Sequence, residues 1–283
     1  MKKRKILKTL LLTTFLLSAC SLTETKPKTT STATSSVSEK IEVAQSSTTP
    51  NSAPNNVPIN TEDNVSVMAT LINLTDNANA GENRNYYFEA GEARLQDDND
   101  LQNGQLDFKL DSYGRSSTAR GKLTYQMFEQ SKGKRQGTPL DPPYWPQNFK
   151  TEIHYSLTGR TYHGYMYNRS HSIADSLGGE ATYTSEANFT TGTRPQNVGA
   201  NQNGGMRYAE EMVENYWRKH AGTNEIVHYQ VEPMYKNNEV IPRGSIIDIK
   251  SSDNVLNKRI VVINDVEGMR INYETGTAEK LAK

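Results

Sequence analysis

Cysteine is almost absent from the sequence, since Cys20 is the only one among 283 residues. A single thiol cannot form a disulfide within the chain. In an exported protein, where disulfides are common, the fold must then depend on side-chain packing or on a bound metal ion. Cys20 also lies at the end of the most apolar segment of the chain.

Long hydrophobic runs are missing too, and the mean hydropathy of the chain is -0.75. The apolar segment Leu10–Leu17 is too short to cross a bilayer comfortably. It follows a cluster of basic residues at positions 2–8, as in a secretion signal. Its Leu-Ser-Ala-Cys ending resembles the lipobox of bacterial lipoproteins. This resemblance implies cleavage before Cys20 and attachment of a lipid to its thiol; an uncleaved or unlipidated signal is the alternative.

Large apolar side chains are scarce between residues 21 and 65, where serine, threonine, proline, asparagine and lysine predominate. Such a segment buries too little apolar surface to offset the entropy that ordering would cost. We therefore predict a signal peptide at 1–20, a disordered tether at 21–65 and one folded domain at 66–283. The predicted location is the extracellular face of the membrane, by a lipid anchor alone, or the secreted fraction.

The predicted domain has no excess of positive charge. Eight of the 32 basic and five of the 32 acidic residues precede position 66, which leaves 24 basic and 27 acidic residues in the domain. A protein that binds nucleic acid through bulk charge alone is net positive instead. Any contact with nucleic acid must therefore come from a local site.

Alternation of apolar and polar residues predicts several strands. Leu106–Leu110 is one, and residues 153–157 and 162–167 form a hairpin. One clear helix lies at 205–220. The last third predicts an antiparallel meander, with strands at 226–235, 240–250, 259–266 and 269–273. We predict an α+β fold in which a strand–strand–helix unit packs on a central antiparallel sheet.

The predicted helix carries a carboxylate on its apolar side. Met206, Val213 and Trp217 fall on one stripe at helical spacing. Glu210 lies four residues after Met206 and three before Val213, so it projects from the same stripe. A carboxylate on a buried face is costly unless a positive or hydrogen-bonding group meets it. Glu210 is therefore the acid to which we assign a function.

The helix has two other acidic residues, which are predicted to face solvent. Glu211 lies four residues after Arg207, and Glu214 lies four residues before Arg218. Oppositely charged residues at this spacing form ion pairs on a helix surface. These two acids are therefore assigned a structural role.

Two polar segments precede this helix. The first, Tyr167–His171, contains an asparagine, an arginine and a histidine in the connection between the predicted hairpin and a short helical segment. The second begins with Thr-Arg-Pro-Gln-Asn at 193–197 and continues through Asn201 to Gly205. We predict that the two segments face each other across a metal ion and a phosphate. An ordinary pair of polar loops is the alternative.

These residues supply what phosphodiester hydrolysis requires, namely a base, a charge-stabilising cation and phosphate contacts. His171 suits the base because imidazole titrates near neutral pH. Asn201 or Asn197 can offer a neutral oxygen to Mg²⁺, with Mn²⁺ as a substitute, and Glu210 can orient the water ligands. Phosphate contacts are predicted for three arginines, because the guanidinium fork matches phosphate oxygens. They are Arg169, Arg194 and Arg207.

The motifs, taken in order, resemble the ββα-metal (His-Me finger) family of DNA/RNA non-specific endonucleases, and in particular the secreted streptococcal DNases. The similarity extends over roughly residues 110–278. Its elements are Asn168-Arg169-Ser170-His171, Thr193-Arg194-Pro195-Gln196 with Asn201 and Glu210, Gly205-Met206, and the segments 231–235, 242–244 and 271–276. An ordered series of this kind is far more specific than one four-residue motif.

The resemblance implies a role for each matched residue. His171 matches the general base that ends the family's Asp-Arg-Gly-His motif, and Arg169 matches its arginine. Asn201 matches the single asparagine that binds the metal, and Glu210 the acid on the following helix. Two positions depart from the commoner motif and leave the base in place. They are Asn168 and Ser170.

We therefore predict a metal-dependent, sequence-nonspecific endonuclease acting on extracellular DNA, with RNA as a second substrate and no obligate protein partner. The alternative is a surface lipoprotein that binds DNA or a protein through a catalytically inactive nuclease fold. A solute-binding lipoprotein fits the anchor but not the body, which lacks two alternating α/β lobes. The other histidines lack matching motif partners and are predicted to be structural. They are His154, His163, His220 and His228.

Overall fold

The computed structural model describes residues 61–78, 81–82, 84–133 and 137–282. The predicted signal peptide, Cys20 and the tether up to residue 60 lie outside these ranges. The predicted domain boundary at residue 66 falls inside a helix, because the first helix begins at Thr61. In the part of the chain that the structure describes, no helix has both the length and the apolar character needed to span a bilayer.

The described residues form five α-helices and twelve strands. The helices are α1 (Thr61–Asp76), α2 (Tyr125–Ser131), α3 (Asp175–Gly178), α4 (Arg194–Val198) and α5 (Met206–Lys219). The strands are β1 (Tyr87–Glu89), β2 (Leu106–Leu110), β3 (Ser116–Thr124), β4 (Lys150–His154), β5 (Thr161–Tyr165), β6 (Tyr167–His171), β7 (Phe189–Thr193), β8 (Ile226–Met234), β9 (Gly244–Ser251), β10 (Asn257–Ile263), β11 (Met269–Ile271) and β12 (Ala278–Lys280).

A six-stranded antiparallel sheet in the order β1-β10-β9-β8-β3-β2 forms the centre of the fold. β8, β9 and β10 are three of the four strands of the meander predicted from the last third of the sequence. The fourth, β11, pairs with β12 outside this sheet, so that part of the prediction was wrong. Val231 pairs with Ile247, which in turn pairs with Ile260, so apolar residues line up across the three strands. The predicted α+β fold with a central antiparallel sheet is confirmed.

Helices cover both faces of this sheet. In β9, Ile247 and Ile249 belong to the apolar cluster that contains Trp217 of α5, while Ile246 belongs to the cluster that contains Leu71 of α1. Successive residues of a strand point to opposite faces, so a strand with isoleucine at neighbouring positions, such as β9, requires cover on both sides. The sheet thus provides a rigid base for α5.

A third apolar cluster joins the hairpin β4–β5 to the short ladder β11–β12. Ile153 of β4, Ile271 of β11 and the fully buried Met166 belong to it. The predicted hairpin is confirmed, whereas β12 was not predicted. Since Met166 separates β5 from β6, this cluster fixes the start of the strand that carries the candidate site.

Candidate active site

The stretch Tyr167–His171 forms the strand β6 and is not the irregular connection that its polar composition indicated. It pairs with β7 in antiparallel register, from His171 opposite Phe189 to Tyr167 opposite Thr193. β7 is buried along its whole length and rich in threonine, whose branched side chain favours strands. β6 is a strand because β7, further along the chain, supplies backbone partners that the polar residues of β6 do not reveal.

β7 leads directly into α4 through a helix cap. Thr193 Oγ1 accepts a hydrogen bond from the backbone N–H of Gln196 at 3.1 Å, and Pro195 occupies the first turn, where its missing N–H is not needed. Gln196 folds back onto the strand so closely that a Cβ at Gly192 would lie 2.1 Å from its Oε1. The Pro-Gln pair thereby sets the angle between β7 and α4.

His171 and Glu210 face each other between β6 and α5. His171 Nδ1 lies 3.7 Å from Glu210 Oε1, a distance within ion-pair range but too long for a hydrogen bond. This nitrogen is buried and has no hydrogen-bond partner among the described residues. Glu210 is only 6% exposed, as its position on the apolar stripe predicted. Helical spacing alone therefore identified the carboxylate that meets the histidine.

Burial has the largest effect on the pKa of Glu210. Burial raises the pKa of this carboxyl group above its ordinary value, because the ionised form loses its hydration. The positive charges of His171 and Arg207 oppose the shift, and the charge of Glu214 adds to it. A carboxyl group with a raised pKa beside an imidazole is a recurrent feature of sites that transfer protons.

Arg207 is surrounded by three carboxylates of its own helix. Its Nη1 lies 3.3 Å from Glu210 Oε2, and its Nε lies 3.3 Å from Glu211 Oε1. Its Nη2 donates a hydrogen bond to Glu214 Oε2 at 2.9 Å. A guanidinium already paired with so many anions is poorly placed to bind a substrate phosphate, which weighs against the contact predicted for Arg207.

Glu214 is buried, with 4% exposure, although the sequence analysis placed it on the solvent face. Its predicted pairing with Arg218 is present at 2.7 Å. The spacing rule missed the burial because α3, which carries Ser176, packs against α5. Burial acts to raise the pKa of Glu214, but hydrogen bonds from Arg207 and Arg218, together with the positive charge of Arg207, outweigh it and lower the pKa.

Asn201 lies on the loop between α4 and α5, where Asn85 holds it. Asn85 Nδ2 donates to Asn201 Oδ1 at 2.7 Å, and the backbone N–H of Asn203 donates to the same oxygen at 2.9 Å. Asn85 Oδ1 accepts a hydrogen bond from the backbone N–H of Ala200 at 2.8 Å. No local sequence pattern identifies Asn85 as part of the site, because 116 positions separate it from Asn201.

Glycines allow this loop to approach its neighbours closely. A Cβ at Gly204 would lie 2.2 Å from the carbonyl oxygen of Asn85. Gly205 has a φ of +56°, and a Cβ there would lie 2.0 Å from the carbonyl oxygen of Gln196. The conformation that places Asn201 one turn before α5 is therefore accessible only to glycine at these positions.

Arg194, at the start of α4, has one buried donor without a partner among the described residues. Its Nη2 donates to Gln202 Oε1 at 2.8 Å, and its guanidinium carbon lies 5.4 Å from the centre of the Tyr162 ring. Its Nε is buried without a hydrogen-bond partner in the described ranges. These contacts place Arg194 beside the residue that follows Asn201. Asn197, the alternative metal ligand, is half-buried inside α4.

Arg169 lies two residues before His171, on the same face of β6. Its Nε donates to Asp141 Oδ1 at 2.6 Å, and its guanidinium carbon lies 5.1 Å from the Trp145 ring. Both partners belong to the proline-containing loop before β4, which the sequence analysis treated only as a surface connection. This loop therefore borders the candidate site.

The oxygen and nitrogen donors of this region suit a hydrated hard cation. Within residues 61–78, 81–82, 84–133 and 137–282, no three His, Cys, Asp or Glu side chains are grouped so that they could hold a metal ion. Mg²⁺ keeps most of its water and needs few protein ligands. Asn201 Oδ1 is a neutral oxygen on an exposed residue, and a cation there has to replace at least one of its two present donors.

The four remaining histidines have partners away from the His171–Glu210 pair. His228 pairs with Asp98, His163 with Glu152, His220 with the backbone of Tyr216, and His154 with Thr161. Their structural role remains a prediction, which these contacts favour.

The sequence profile of the DNA/RNA non-specific endonuclease family matches residues 63–279. The chain belongs to this family. A deoxyribonuclease of Streptococcus dysgalactiae subsp. equisimilis is 32% identical over 195 residues, which make up 59% of this chain and 58% of the relative. The chain thus spans somewhat more than half the length of that curated relative, and the predicted family is confirmed.

Two solved nuclease structures share the fold. Sda1 nuclease with a bound zinc ion superimposes with a TM-score of 0.60 at 29% identity, covering 70% of this chain and 97% of that one. NucA from Streptococcus agalactiae with a magnesium ion bound gives a TM-score of 0.56 at 22% identity, covering 70% and 87%. The prediction of a ββα-metal nuclease fold is thereby confirmed.

Proposed function

We propose that this protein is a metal-dependent, sequence-nonspecific endonuclease that hydrolyses extracellular DNA, with RNA as a second substrate. The observation that carries the proposal is the meeting of His171 and Glu210, 3.7 Å apart, in a chain of a nuclease family. The buried Nδ1 of His171 has no hydrogen-bond partner among the described residues, which costs stability, and Glu210 is a carboxyl group within reach of it. The relatives, a streptococcal deoxyribonuclease and Sda1 nuclease, support the same activity.

In this proposal His171 is the general base. If the two side chains moved slightly closer together, an N–H at Nδ1 of His171 would donate a hydrogen bond to Glu210. Catalytic hydrogen bonds often shorten in this way when substrate binds. Nε2 then carries the free lone pair and accepts a proton from the attacking water. Glu210 orients the imidazole and stabilises its protonated form, in addition to positioning water.

We propose Mg²⁺ as the cation, with Asn201 Oδ1 as its protein ligand and Asn197 as the alternative. Bound there, the ion would supply positive charge that stabilises the charge developing on the scissile phosphate. Asn85 and Gly205 hold the loop that presents the amide oxygen. A single amide oxygen completed by water suits Mg²⁺, and Mn²⁺ is a chemically similar substitute.

Two arginines are proposed to contact substrate phosphates. Arg194 has a buried Nε without a partner in the described chain and lies next to the loop of Asn201. Arg169 shares a face of β6 with His171. Its ion-pair partner Asp141 is exposed, so a substrate phosphate can displace that carboxylate. Arg207 is the least favoured of the three, because its carboxylate partners would have to be displaced.

Plasmid cleavage by the purified full chain, with Mg²⁺ or with EDTA, tests this function. Removal of a general base lowers rates by about 10²–10⁴-fold, so we expect that loss for His171→Ala with an unchanged circular dichroism spectrum. If the wild type leaves plasmid and RNA intact across metals and pH, the protein is instead a binding protein with an inactive nuclease fold.

Glu210→Gln and Glu211→Gln form a matched pair on the same helix turn. Glu210 is buried against His171, while Glu211 is partly exposed and forms an ion pair with Arg207. We expect a large loss of cleavage for Glu210→Gln and less than a twofold loss for Glu211→Gln. Equal losses would contradict the role given to the buried face of α5.

We further propose that the chain is exported and held at the cell surface by a lipid on Cys20, or released as a secreted protein. The support is the sequence alone, with its basic start, short apolar segment and lipobox-like ending. Detergent phase partitioning of wild type and Cys20→Ser tests it. The wild type should enter the detergent phase and the variant the aqueous phase; wild-type protein found only in the aqueous phase would contradict the anchor.

A further inference from the structure

Exposed apolar side chains are concentrated on two adjoining segments, residues 110–115 at the end of β2 and in the turn before β3, and the loop 137–149. The described residues include eight exposed large apolar side chains, and four of them belong to these two segments. They are Leu110, Tyr113, Leu140 and Tyr144. The segments touch, because the hydroxyl group of Tyr144 donates to the carbonyl oxygen of Tyr113. Clustering of this kind marks an interaction surface more often than scattered exposure does.

Tyr144 occupies a backbone position that favours glycine. The N–H of Trp145 donates to the carbonyl oxygen of Pro142 at 3.1 Å, which closes a β-turn with Pro143 second and Tyr144 third. The φ of Tyr144 is +60°, as a type II turn requires at its third residue. A residue with a Cβ is disfavoured there, so the turn itself does not account for an aromatic side chain. Its ring is 52% exposed.

The same turn borders the candidate active site. Asp141 and Trp145, on either side of Tyr144, both contact Arg169. Arg169 and His171 lie two residues apart on one face of β6, which corresponds to about 7 Å. Tyr144 is therefore presented at the surface in the same loop as the two residues that contact the arginine that we assign to a substrate phosphate.

We infer that Tyr144 and Tyr113 form a stacking platform for an unpaired nucleobase of the substrate strand, an inference that rests on the proposed nuclease function. Aromatic rings accept any base, because every base has a π-face, and a base held inside a duplex is not accessible to them. The guanidinium carbon of Arg115 lies 4.7 Å from the centre of the Tyr113 ring and covers one side of it, while Tyr113 as a residue is 58% exposed. Arg169 holds the neighbouring phosphate once Asp141 releases it. The platform selects single-stranded or frayed nucleic acid.

Binding of a labelled oligothymidylate and of a duplex of equal length, measured by fluorescence anisotropy with EDTA present, tests the platform in the full chain. Tyr144→Gly removes the ring and relieves the turn, so it should fold at least as well as wild type. We expect about tenfold weaker binding of the single strand, the lower part of the range for one stacked base, and less than twofold change for the duplex. Tyr144→Phe, which keeps the ring, should bind like wild type.

Two further variants separate stacking from other causes. Tyr113→Ala should repeat the selective loss, since its backbone carbonyl is retained. Tyr165→Ala is the matched control, because Tyr165 is also half-exposed but lies on the β4–β5 hairpin; it should change neither affinity.

Three results would each overturn the platform. The first is an equal loss of affinity for the single strand and the duplex, and the second is an unchanged affinity in Tyr144→Gly. The third is a loss of affinity in Tyr144→Phe as large as in Tyr144→Gly. The last result would assign Tyr144 to anchoring its loop through the hydroxyl group. Cleavage with Mg²⁺ is measured separately. A protein that cleaves but lacks the selective effect refutes the platform alone, whereas one that binds through Tyr144 and never cleaves refutes the proposed nuclease.

Discussion

Glu210 and Glu214 are buried one turn apart on α5, yet their carboxyl groups should affect stability with opposite signs. Glu214 has a lowered pKa, so it adds stability that is complete above its unfolded value of about 4.5 and is lost as the pH falls through its folded pKa. Glu210 has a raised pKa, so its ionisation opposes folding as the pH rises above about 4.5. Replacing each by glutamine should therefore change the free energy of unfolding in opposite directions at neutral pH.

The magnitude follows from the partners of Glu214. Arg207 and Arg218 donate to it at 2.9 Å and 2.7 Å. Breaking a fully buried ion pair costs about 3–5 kcal/mol, but these arginines remain 27% and 51% exposed, so hydration offsets part of the loss. We expect Glu214→Gln to lose about 2 kcal/mol, which lowers the Tm by about 4–8 °C in a domain of this size.

Thermal unfolding followed by circular dichroism, in metal-free buffer at neutral pH and below pH 4.5, measures both effects. At neutral pH Glu214→Gln should melt below wild type, while Glu210→Gln should melt at or above it with its cleavage activity lost. In acid both differences should shrink. A Glu210→Gln protein less stable than Glu214→Gln at neutral pH would refute the reasoning, because Glu210 would then stabilise the fold instead of serving the site.

Three further substitutions test other parts of the site. Asp141→Asn frees the guanidinium of Arg169 and should lower the KM for DNA about two- to threefold, with a larger effect at low salt; an unchanged or higher KM would contradict this. Asn85→Ala loosens the loop of Asn201 and should raise the Mg²⁺ concentration for half-maximal cleavage about 10–100-fold, whereas an unchanged value would remove Asn85 from the site. Gly205→Ala places a Cβ against a backbone carbonyl and should lower the Tm by about 8 °C or more.

Matched substitutions elsewhere provide the controls. Gly91→Ala has a similar left-handed φ of +95° but no atom within 4 Å of the added Cβ, so it should cost much less than Gly205→Ala. Asn77→Ala removes an exposed asparagine, just after α1, whose side chain donates to Asn73 of that helix, and it should leave the Mg²⁺ dependence unchanged.

The sequence predicted those features that depend on local periodicity. The stripe of α5 placed Glu210 on the buried face, and the alternation in the last third predicted β8, β9 and β10. These predictions succeeded because burial on one side of a helix or strand leaves a repeat of 3.6 or 2 residues.

Features that depend on contacts between residues distant in sequence could not be predicted from the sequence. β6 looked like a connection because its partner β7 was not recognised, and Glu214 looked exposed because α3 could not be placed against α5. Asn85 was missed for the same reason, since it meets Asn201 across 116 positions. The chemistry of an amide oxygen left Asn201 and Asn197 as alternative metal ligands, and only the resemblance to the nuclease family favoured Asn201, because an asparagine in a polar loop carries no periodic signal.

The central claim is that His171, Asn201 and Glu210 converge on one hydrated cation. A crystal soaked in Mn²⁺ tests it through the anomalous difference map. The account predicts a single strong peak about 2.1–2.2 Å from Asn201 Oδ1, with water ligands between the ion and the side chains of Glu210 and His171. A peak bound elsewhere, with Asn201 still held by Asn85, would contradict it.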